Sequence, residues 1–576
     1  MSRRGKFSLL ISILLALCIV GRRGKQAQMQ MSKKRTSDES HAFKKAIREK
    51  VWVETSVDSD HDGKKDRVKV DIIRPEETEK GIQVPVIYNM SPYNAGLVYP
   101  DYYNVDEELH CPAPSFTEEY HYDKYFVPRG YAMVNASSIG SKGSDGCPTT
   151  GDPQELLAAK AVIDWLNGRA DGFDESGNNI SAYWTNGKTG MIGLSYEGTI
   201  PNGLATLDVP GLKTIVPIGA ISNWYDYYRA NGAVIAPGGY QGDDADRLAK
   251  GVLTRDNPDV CMECMDQMEK EQDRKTGDYN AFWDERNYLN GVHNLKASVF
   301  LVHGLNDMNV KRKQFAQWWE KLKQHDIPRK LWLHNGGHID PKVTGGDKWL
   351  KTLHRWFDFW LYDKDNGVMD EAQVTIQQPD DTWIQQTEWP HIDAHNTLFY
   401  LGTDPSGRGA LQEFEGASEE EKATFTDNAF MKAEELVKKP EVIAPHRLAY
   451  VTSKLDSPIR ISGFPQLSIQ ASVDHPAANL TALLVDYGPD GATVVTRGWM
   501  DACNVDSIWQ SKALDPGRIY TFEWDMEPHD YKFEKGHQIG LVLMSSDYEY
   551  TIRPKTSVSI TVHYGKSHVI LPLVHV

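Results

Sequence analysis

Three side chains in this sequence have the types and the chain order that acyl transfer requires. Ser195 lies in Gly193-Leu-Ser-Tyr-Glu-Gly198, directly after the apolar run Thr189-Gly-Met-Ile192. A serine at a tight strand-to-helix turn, flanked by small residues where the two backbones approach, has its hydroxyl lifted clear of the sheet. The amide of Tyr196 would then face the oxygen of a carbonyl under attack, with the positive end of a helix beginning near Thr199 behind it. Glu197 stands where the pattern G-x-S-x-G has its second glycine, which arrives one place later as Gly198, and an ordinary glycine turn reads the same way. Asp307 follows the strand Ala297 to Val302, and His338 lies in the glycine-loosened loop His334-Asn-Gly-Gly-His338 after the strand Lys330 to Leu333. Such a histidine can take the serine proton as general base while the aspartate orients it. His334 is a rival base, and Asp326 and Asp340 are rival acids. Each residue alone also reads as structural; the order Ser, Asp, His at three strand ends is what joins them.

The elements that must position these residues follow a pattern. From Val51 to Leu361, buried-type strands alternate with helices: Val84 to Tyr88, Ala132 to Asn135, the helix Pro153 to Leu166, then Thr214 to Ile218, the helix Lys311 to Gln324 and the helix Trp349 to Leu361. Such alternation means a parallel α/β sheet covered on both faces, here an α/β-hydrolase core over residues 45–222 and 291–366. Between them, residues 223–290 lose the strand signal and are rich in Asp, Tyr, Gly and helix formers. They read as a helical cap inserted over the strand ends. Residues 371–576, beginning with the strand Glu371 to Gln377, show many short alternating strands. This is an all-β sandwich or jelly roll.

At 576 residues the chain exceeds one domain, and its net charge of -17 argues against nucleic acid and against anionic membranes as partners. Arg3, Arg4 and Lys6 precede an apolar run from Phe7 to Val20, so residues 1–27 read as a signal segment. That implies a secreted or cell-envelope protein. Arg22, Arg23 and Lys25 leave a retained anchor open, and a non-functional leader would leave the chain cytoplasmic. Cys261-Met-Glu-Cys264 has C-x-x-C spacing without the partners of a zinc site, and reads as a local disulfide or two structural thiols. Asp58, Asp60, Asp62 and Asp66 surround Gly63 with the spacing of a calcium loop, but Lys69 stands where a bidentate glutamate belongs. An Asp/Gly hairpin turn is therefore favoured over a structural calcium.

The sequence resembles the bacterial Xaa-Pro dipeptidyl-peptidases, which group with cocaine esterase and the α-amino acid ester hydrolases. The resemblance rests on Ser-Pro-Tyr93, Gly-Leu-Ser195-Tyr-Glu-Gly, Asn223-Trp-Tyr-Asp-Tyr-Tyr228-Arg, Asn306-Asp307-Met-Asn309-Val310 and Gly336-Gly-His338, with Ala161 to Ala170 and Ser457 to Gly463 in support. It spans nearly everything from residue 50 onward. The elbow of that group, G-x-S-Y-x-G, accounts for the late glycine.

The resemblance implies Ser195 as nucleophile, His338 as base and Asp307 as its orienting acid. It implies an oxyanion hole from the Tyr93 hydroxyl and the Tyr196 amide. It implies a proline pocket from Trp224, Tyr227, Tyr228 and Val310, and a site for the substrate's free amino group from Asn309 with an acid of the cap. Asp243 or Asp244 matches that acid, with aspartate where the family has glutamate. The implied activity is a cofactor-free serine exopeptidase acting on proline-containing peptides with a free N-terminus. An esterase or amidase of the wider group, acting on small or α-amino acyl esters, is the alternative, since it shares the triad and Tyr93 but does not need an ammonium-binding acid coupled to a proline box. A carbohydrate-binding or adhesive envelope protein is a third reading, against which the intact Ser, Asp, His set speaks. The larger lactic-type enzymes carry an N-terminal helical domain associated with dimerisation, so their oligomeric state does not carry over.

Overall fold

The computed structural model describes residues 36–98, 122–418, 420–552, 554 and 556–575. The basic and apolar leader and Cys111 lie outside the described residues.

The strands of the first half are β1 (Ile47–Glu54), β2 (Arg67–Arg74), β3 (Val84–Ser91), β4 (Ala132–Ser137), β5 (Gly172–Phe173), β6 (Thr185–Leu194), β7 (Leu212–Ile218), β8 (Arg229–Ala230), β9 (Ala233–Val234), β10 (Ser298–Gly304), β11 (Arg329–His334), β12 (Val374–Gln377) and β13 (Trp383–Gln386). All but β8 and β9 join one 11-stranded sheet in the order β13-β12-β11-β10-β7-β6-β3-β4-β2-β1-β5. The run from β4 to β12 is parallel, with antiparallel strands at both edges. Residue pattern explains the difference. β2 alternates strictly between half-buried and buried positions, whereas β10 is buried at every residue, as a central strand covered on both faces must be.

Each face of the sheet has its own core. One packs under the helices Pro153–Leu166, Tyr196–Ala205 and Lys313–Gln324, with Leu156, Val162, Leu204, Phe315 and Trp319 buried. The other packs under the helix Lys342–Tyr362 through Trp349, Leu353, Trp356 and Phe357. Burying a large apolar side chain is worth roughly 1.5–3 kcal/mol, so these helices are held by their buried faces. Gly346, at φ +48°, breaks the last helix near its start. The apolar periodicity therefore first becomes legible near Trp349.

Residues between β7 and β10 carry the helices Tyr225–Tyr228, Ala245–Val252, Met262–Glu271 and Ala281–Asp284, plus the two-residue hairpin β8–β9. Arg286 fastens this segment to the loop after β4, donating to the carbonyls of Thr149 and Thr150 at 3.0 Å each. A disulfide between Cys147 and Cys261 joins the same two regions across 114 residues of sequence. Both readings of the Cys261–Cys264 pair, a local disulfide or two structural thiols, are thereby corrected: Cys261 is bonded to the distant Cys147, and Cys264 is a half-buried free thiol.

The second half is β-sheet. Its 12 strands form one hydrogen-bonded network in which the 17-residue strand Ser559–His575 pairs with His395–Thr403, Lys422–Thr426, Ile459–Gly463 and Gln466–Val473. One expectation changes. The strand read at Glu371 to Gln377 does not open this network, because Val374–Gln377 pairs in parallel with β11 of the first sheet. All four of its residues are buried, and Trp383 of the following strand packs on Trp332 with ring centres 4.7 Å apart. Among the described residues, no helix is long and apolar enough to cross a membrane.

Candidate active site

Neighbouring strands β6, β7, β10 and β11 end side by side, and the residues just past those ends build the site. After β6 the chain turns at Ser195, whose φ of +64° and ψ of -126° are rare for a residue with a side chain. Such backbone stores on the order of 1–3 kcal/mol and persists only when the surroundings impose it. Here the Ser195 amide donates to the Ile218 carbonyl at 2.8 Å, and the Ser195 carbonyl accepts from the Gly198 and Thr199 amides at 3.0 and 2.9 Å. The two glycines are forced. A Cβ on Gly193 would fall 2.5 Å from the Glu197 backbone, and one on Gly198 would fall 2.5 Å from the Gly193 carbonyl. The helix starts at Tyr196 rather than near Thr199, so the Tyr196 amide lies in its first turn.

Beyond β10 and β11, Asp307 and His338 meet: Asp307 Oδ2 lies 2.7 Å from His338 Nδ1. Burial alone would push the Asp307 carboxyl up, but His338, His303 and the Asn309 amide hold it below the ordinary carboxylate range. The Asn309 amide donates to Oδ1 at 2.9 Å, so both carboxylate oxygens are engaged. His303 is fully buried; burial pushes it down to about 4, and its Nε2 lies 2.8 Å from the Val310 carbonyl. The end of β7 borders both the serine and the pair. Ile218 accepts the Ser195 amide, and a Cβ on the next residue, Gly219, would lie 3.3 Å from both Asp307 Oδ2 and His338 Nδ1.

The rivals sit elsewhere. His334 is buried and accepts the Gly336 amide at Nδ1, and burial pushes it down to about 4. Asp340 accepts from the Tyr122 hydroxyl and the Lys342 amide, and Asp326 occupies a left-handed turn after the helix Lys313–Gln324.

Half-buried Tyr93 follows β3, its ring edge-on to that of Tyr196 at 6.1 Å. Burial first, then the acids Glu197, Asp243 and Glu155, raise its phenol above the ordinary value, so the hydroxyl stays protonated. Tyr196 sends its own hydroxyl the other way, to Glu155 at 2.7 Å. Trp224 meets the Tyr196 ring at 5.1 Å, the Tyr227 ring at 6.0 Å and the Tyr228 ring, stacked, at 6.3 Å. Trp224 is fully buried and its indole N–H is taken by Tyr288, so it backs the tyrosines. Tyr227 donates its hydroxyl to Asn309 Oδ1 at 2.7 Å, next to buried Val310. The Tyr228 hydroxyl is buried with no hydrogen-bond partner among the described residues.

The two cap acids separate cleanly. Asp244 is fully buried, paired with Arg229 at 3.0 Å and Arg274 at 3.1 Å, and caps the helix Ala245–Val252. It holds the cap together and is not free for a ligand. Asp243 is half-buried, and burial first, then repulsion from Asp244, push its carboxyl up to about 7. Its charge acts on Tyr93, Tyr227 and Tyr228, while Arg274 and Arg247 pull its own carboxyl back down.

Three of the four aspartates of the calcium-like loop converge: ligand oxygens of Asp58, Asp60 and Asp66 lie within 4.8 Å of one another. Asp62 does not join them, because its carboxylate takes the Lys64 amide and ammonium. Asp60 already faces a cation, Arg255, at 2.7 Å, and Asp66 accepts from the Ser59 amide and hydroxyl. Sequence reasoning missed Glu155. Three residues after Asp152, it looks like the acid of a helix N-cap.

The profile of the X-Pro dipeptidyl-peptidase S15 family matches residues 62–340, and that of the X-Pro dipeptidyl-peptidase C-terminal non-catalytic domain matches residues 366–572. A Bacillus anthracis relative is 52% identical over 93% of this chain and 89% of its own length.

The chain belongs to the S15 family.

An Xaa-Pro dipeptidyl-peptidase of Lactiplantibacillus plantarum is 31% identical, with 92% of this chain and 76% of that protein covered. Among solved structures, an alpha-amino acid ester hydrolase has a TM-score of 0.66 at 20% identity, covering 92% of this chain and 97% of that one. A CocE/NonD family hydrolase from Staphylococcus aureus has a TM-score of 0.67 at 17% identity, covering 92% and 94%. At such identities these two establish the shared fold. As an S15 member the protein is a peptidase-type hydrolase: an α/β-hydrolase unit with a β-sheet domain after it.

Proposed function

We propose that this S15 protein is a serine exopeptidase that releases Xaa-Pro dipeptides from free N-termini. Ser195 Oγ attacks the carbonyl after the proline as His338 Nε2 takes its proton, and Asp307 holds the Nδ1–H. The oxyanion accepts from the Tyr93 hydroxyl and the Tyr196 amide, and one such donor is typically worth about 3 kcal/mol of barrier. His338 then returns the proton to the leaving amine, and water hydrolyses the acyl-enzyme by the same route. The residues supply nucleophile, base and oxyanion donors, so the reading needs no cofactor. Export through the basic and apolar leader is part of the proposal, and cell fractionation tests it.

The observation that carries the substrate reading is the contrast between the two cap acids. Asp244 is locked to two arginines, while Asp243 is half-buried and its charge reaches Tyr93 and Tyr227. A carboxylate there, with Asn309, suits a substrate ammonium two residues from the scissile bond, and the aromatic cluster suits a flat ring with no amide hydrogen. An esterase acting on small or α-amino acyl esters does not need the two coupled. The test compares Gly-Pro and Ala-Pro anilides with their N-acetylated forms and with phenyl esters. A strong preference for the free amine is expected, and equal turnover of blocked and free substrates would favour the esterase instead.

A further inference from the structure

The elbow and the aromatic cluster are joined by a residue that belongs to neither. Glu155 is 1% exposed, and its Oε2 accepts the Tyr196 hydroxyl at 2.7 Å and the Gly151 amide at 2.8 Å. The Gly151 carbonyl accepts the Tyr288 hydroxyl at 2.8 Å, and the Tyr288 oxygen accepts the Trp224 indole N–H at 2.9 Å. The circuit closes where the Trp224 and Tyr196 rings meet. It has no slack, since a Cβ on Gly151 would lie 2.1 Å from Trp224 Nε1.

Helix capping does not account for this carboxylate. Asp152 alone caps the helix Pro153–Leu166, accepting the Gln154 and Glu155 amides, whereas Glu155 reaches past it to Gly151. Burying an acid is costly unless its oxygens are satisfied by donors that need it. Here burial pushes the acid up to about 7, against the lowering effect of Tyr196 and the Gly151 amide.

We propose that Glu155 is a positioning residue for acyl transfer: it fixes the Tyr196 ring against Trp224, so that the oxyanion-facing amide and the wall of the proline pocket form one rigid unit. Tyr93 is included, because its ring leans edge-on against Tyr196. The proposal rests on the reading of Ser195 as nucleophile and of the aromatic cluster as proline pocket.

The test uses the full chain as wild type, Glu155→Leu, Glu155→Gln and Tyr196→Phe, with active serine titrated by a fluorophosphonate. For each, kcat and KM are measured on Gly-Pro and Gly-Ala anilides, on N-acetyl-Gly-Pro anilide and on phenyl acetate. Glu155→Leu should lose about 100-fold in kcat per titrated serine, the scale of a displaced reacting geometry, and its preference for proline over alanine should shrink. Glu155→Gln should recover to within about threefold of wild type, since an amide oxygen accepts both hydrogen bonds. Tyr196→Phe should move in the same direction as Glu155→Leu by a smaller amount.

Wild-type kcat and preference per titrated serine in Glu155→Leu would overturn the proposal, whatever its melting temperature. So would a Glu155→Gln enzyme as impaired as Glu155→Leu. If Glu155→Leu does not fold, unaltered kinetics in Tyr196→Phe overturn it. The wild-type arm is separate. Equal turnover of N-acetylated and free substrates there defeats the peptidase reading, and the phenyl acetate arm still decides whether Glu155 positions the oxyanion side.

Discussion

Replacing Asp243 by Asn should separate substrate recognition from chemistry. The carboxylate is half-buried and raised to about 7, so about a tenth of it is ionised at pH 6 and about nine tenths at pH 8. Only the ionised form attracts an ammonium, so the contribution is lost as pH falls through 7. The substrate's α-amine loses its proton near pH 8, so the attraction also fades on the alkaline side. Hydrogen bonds to charged groups contribute roughly 1.5–3 kcal/mol, which predicts a loss of about 10- to 150-fold in kcat/KM for Asp243→Asn. The assay is the ratio of kcat/KM for Gly-Pro anilide to that for N-acetyl-Gly-Pro anilide between pH 5.5 and 9. Both substrates need the same base, so His338 cancels in the ratio. In wild type the ratio should rise about fivefold from pH 6 to 8, the amine's deprotonation halving the carboxylate's roughly tenfold gain, whereas in Asp243→Asn it should be low and flat over that range. A wild-type ratio independent of pH, or an Asp243→Asn enzyme with the wild-type ratio, would refute the assignment.

Asp244→Asn should behave oppositely, lowering the melting temperature sharply, because leaving Arg229 buried without its partner costs roughly 3–5 kcal/mol; thermal unfolding of the two variants side by side checks this. Ser195→Ala should abolish turnover with little change in melting. Ser195→Gly should melt higher than Ser195→Ala, since glycine tolerates φ +64° and relieves part of a strain of about 1–3 kcal/mol. Reduction should lower the melting temperature of wild type but not of Cys261→Ser, because a cross-link over a loop of this length stabilises by roughly 2–4 kcal/mol; non-reducing peptide mapping should recover Cys147 joined to Cys261. EDTA should leave kcat/KM unchanged. Any EDTA-induced fall in melting temperature that calcium reverses should vanish in Asp66→Asn, if the Asp58, Asp60 and Asp66 cluster is its source.

Much of the candidate site's geometry is written locally and could be read in advance. An apolar strand running into Gly-Leu-Ser-Tyr-Glu-Gly can turn in few ways, and the two close backbone approaches at Gly193 and Gly198 are the physical content of that pattern. Asp307 and His338 were legible because each directly follows a buried strand, and chain order within a parallel sheet places such ends together. The division into an α/β unit and a β-sheet unit followed from hydrophobic period alone.

Other features depend on which distant groups arrive, and no local pattern encodes that. Asp243 and Asp244 are adjacent and chemically identical, and only the ion pairs that Arg229 and Arg274 make with Asp244 mark that one as a structural ion. Cys261 prefers Cys147 over a neighbour three residues away because the folded cap lays it on the loop after β4. A short strand at residues 374–377 has the same composition whichever sheet it joins, and the open edge of β11 decided it. Glu155 reads as a capping acid until Tyr196 and Gly151 converge on it from two other elements. Sequence periodicity thus determines the strands and the turns at their ends. The partners of a buried charge are set by long-range packing, which no local pattern in the chain records.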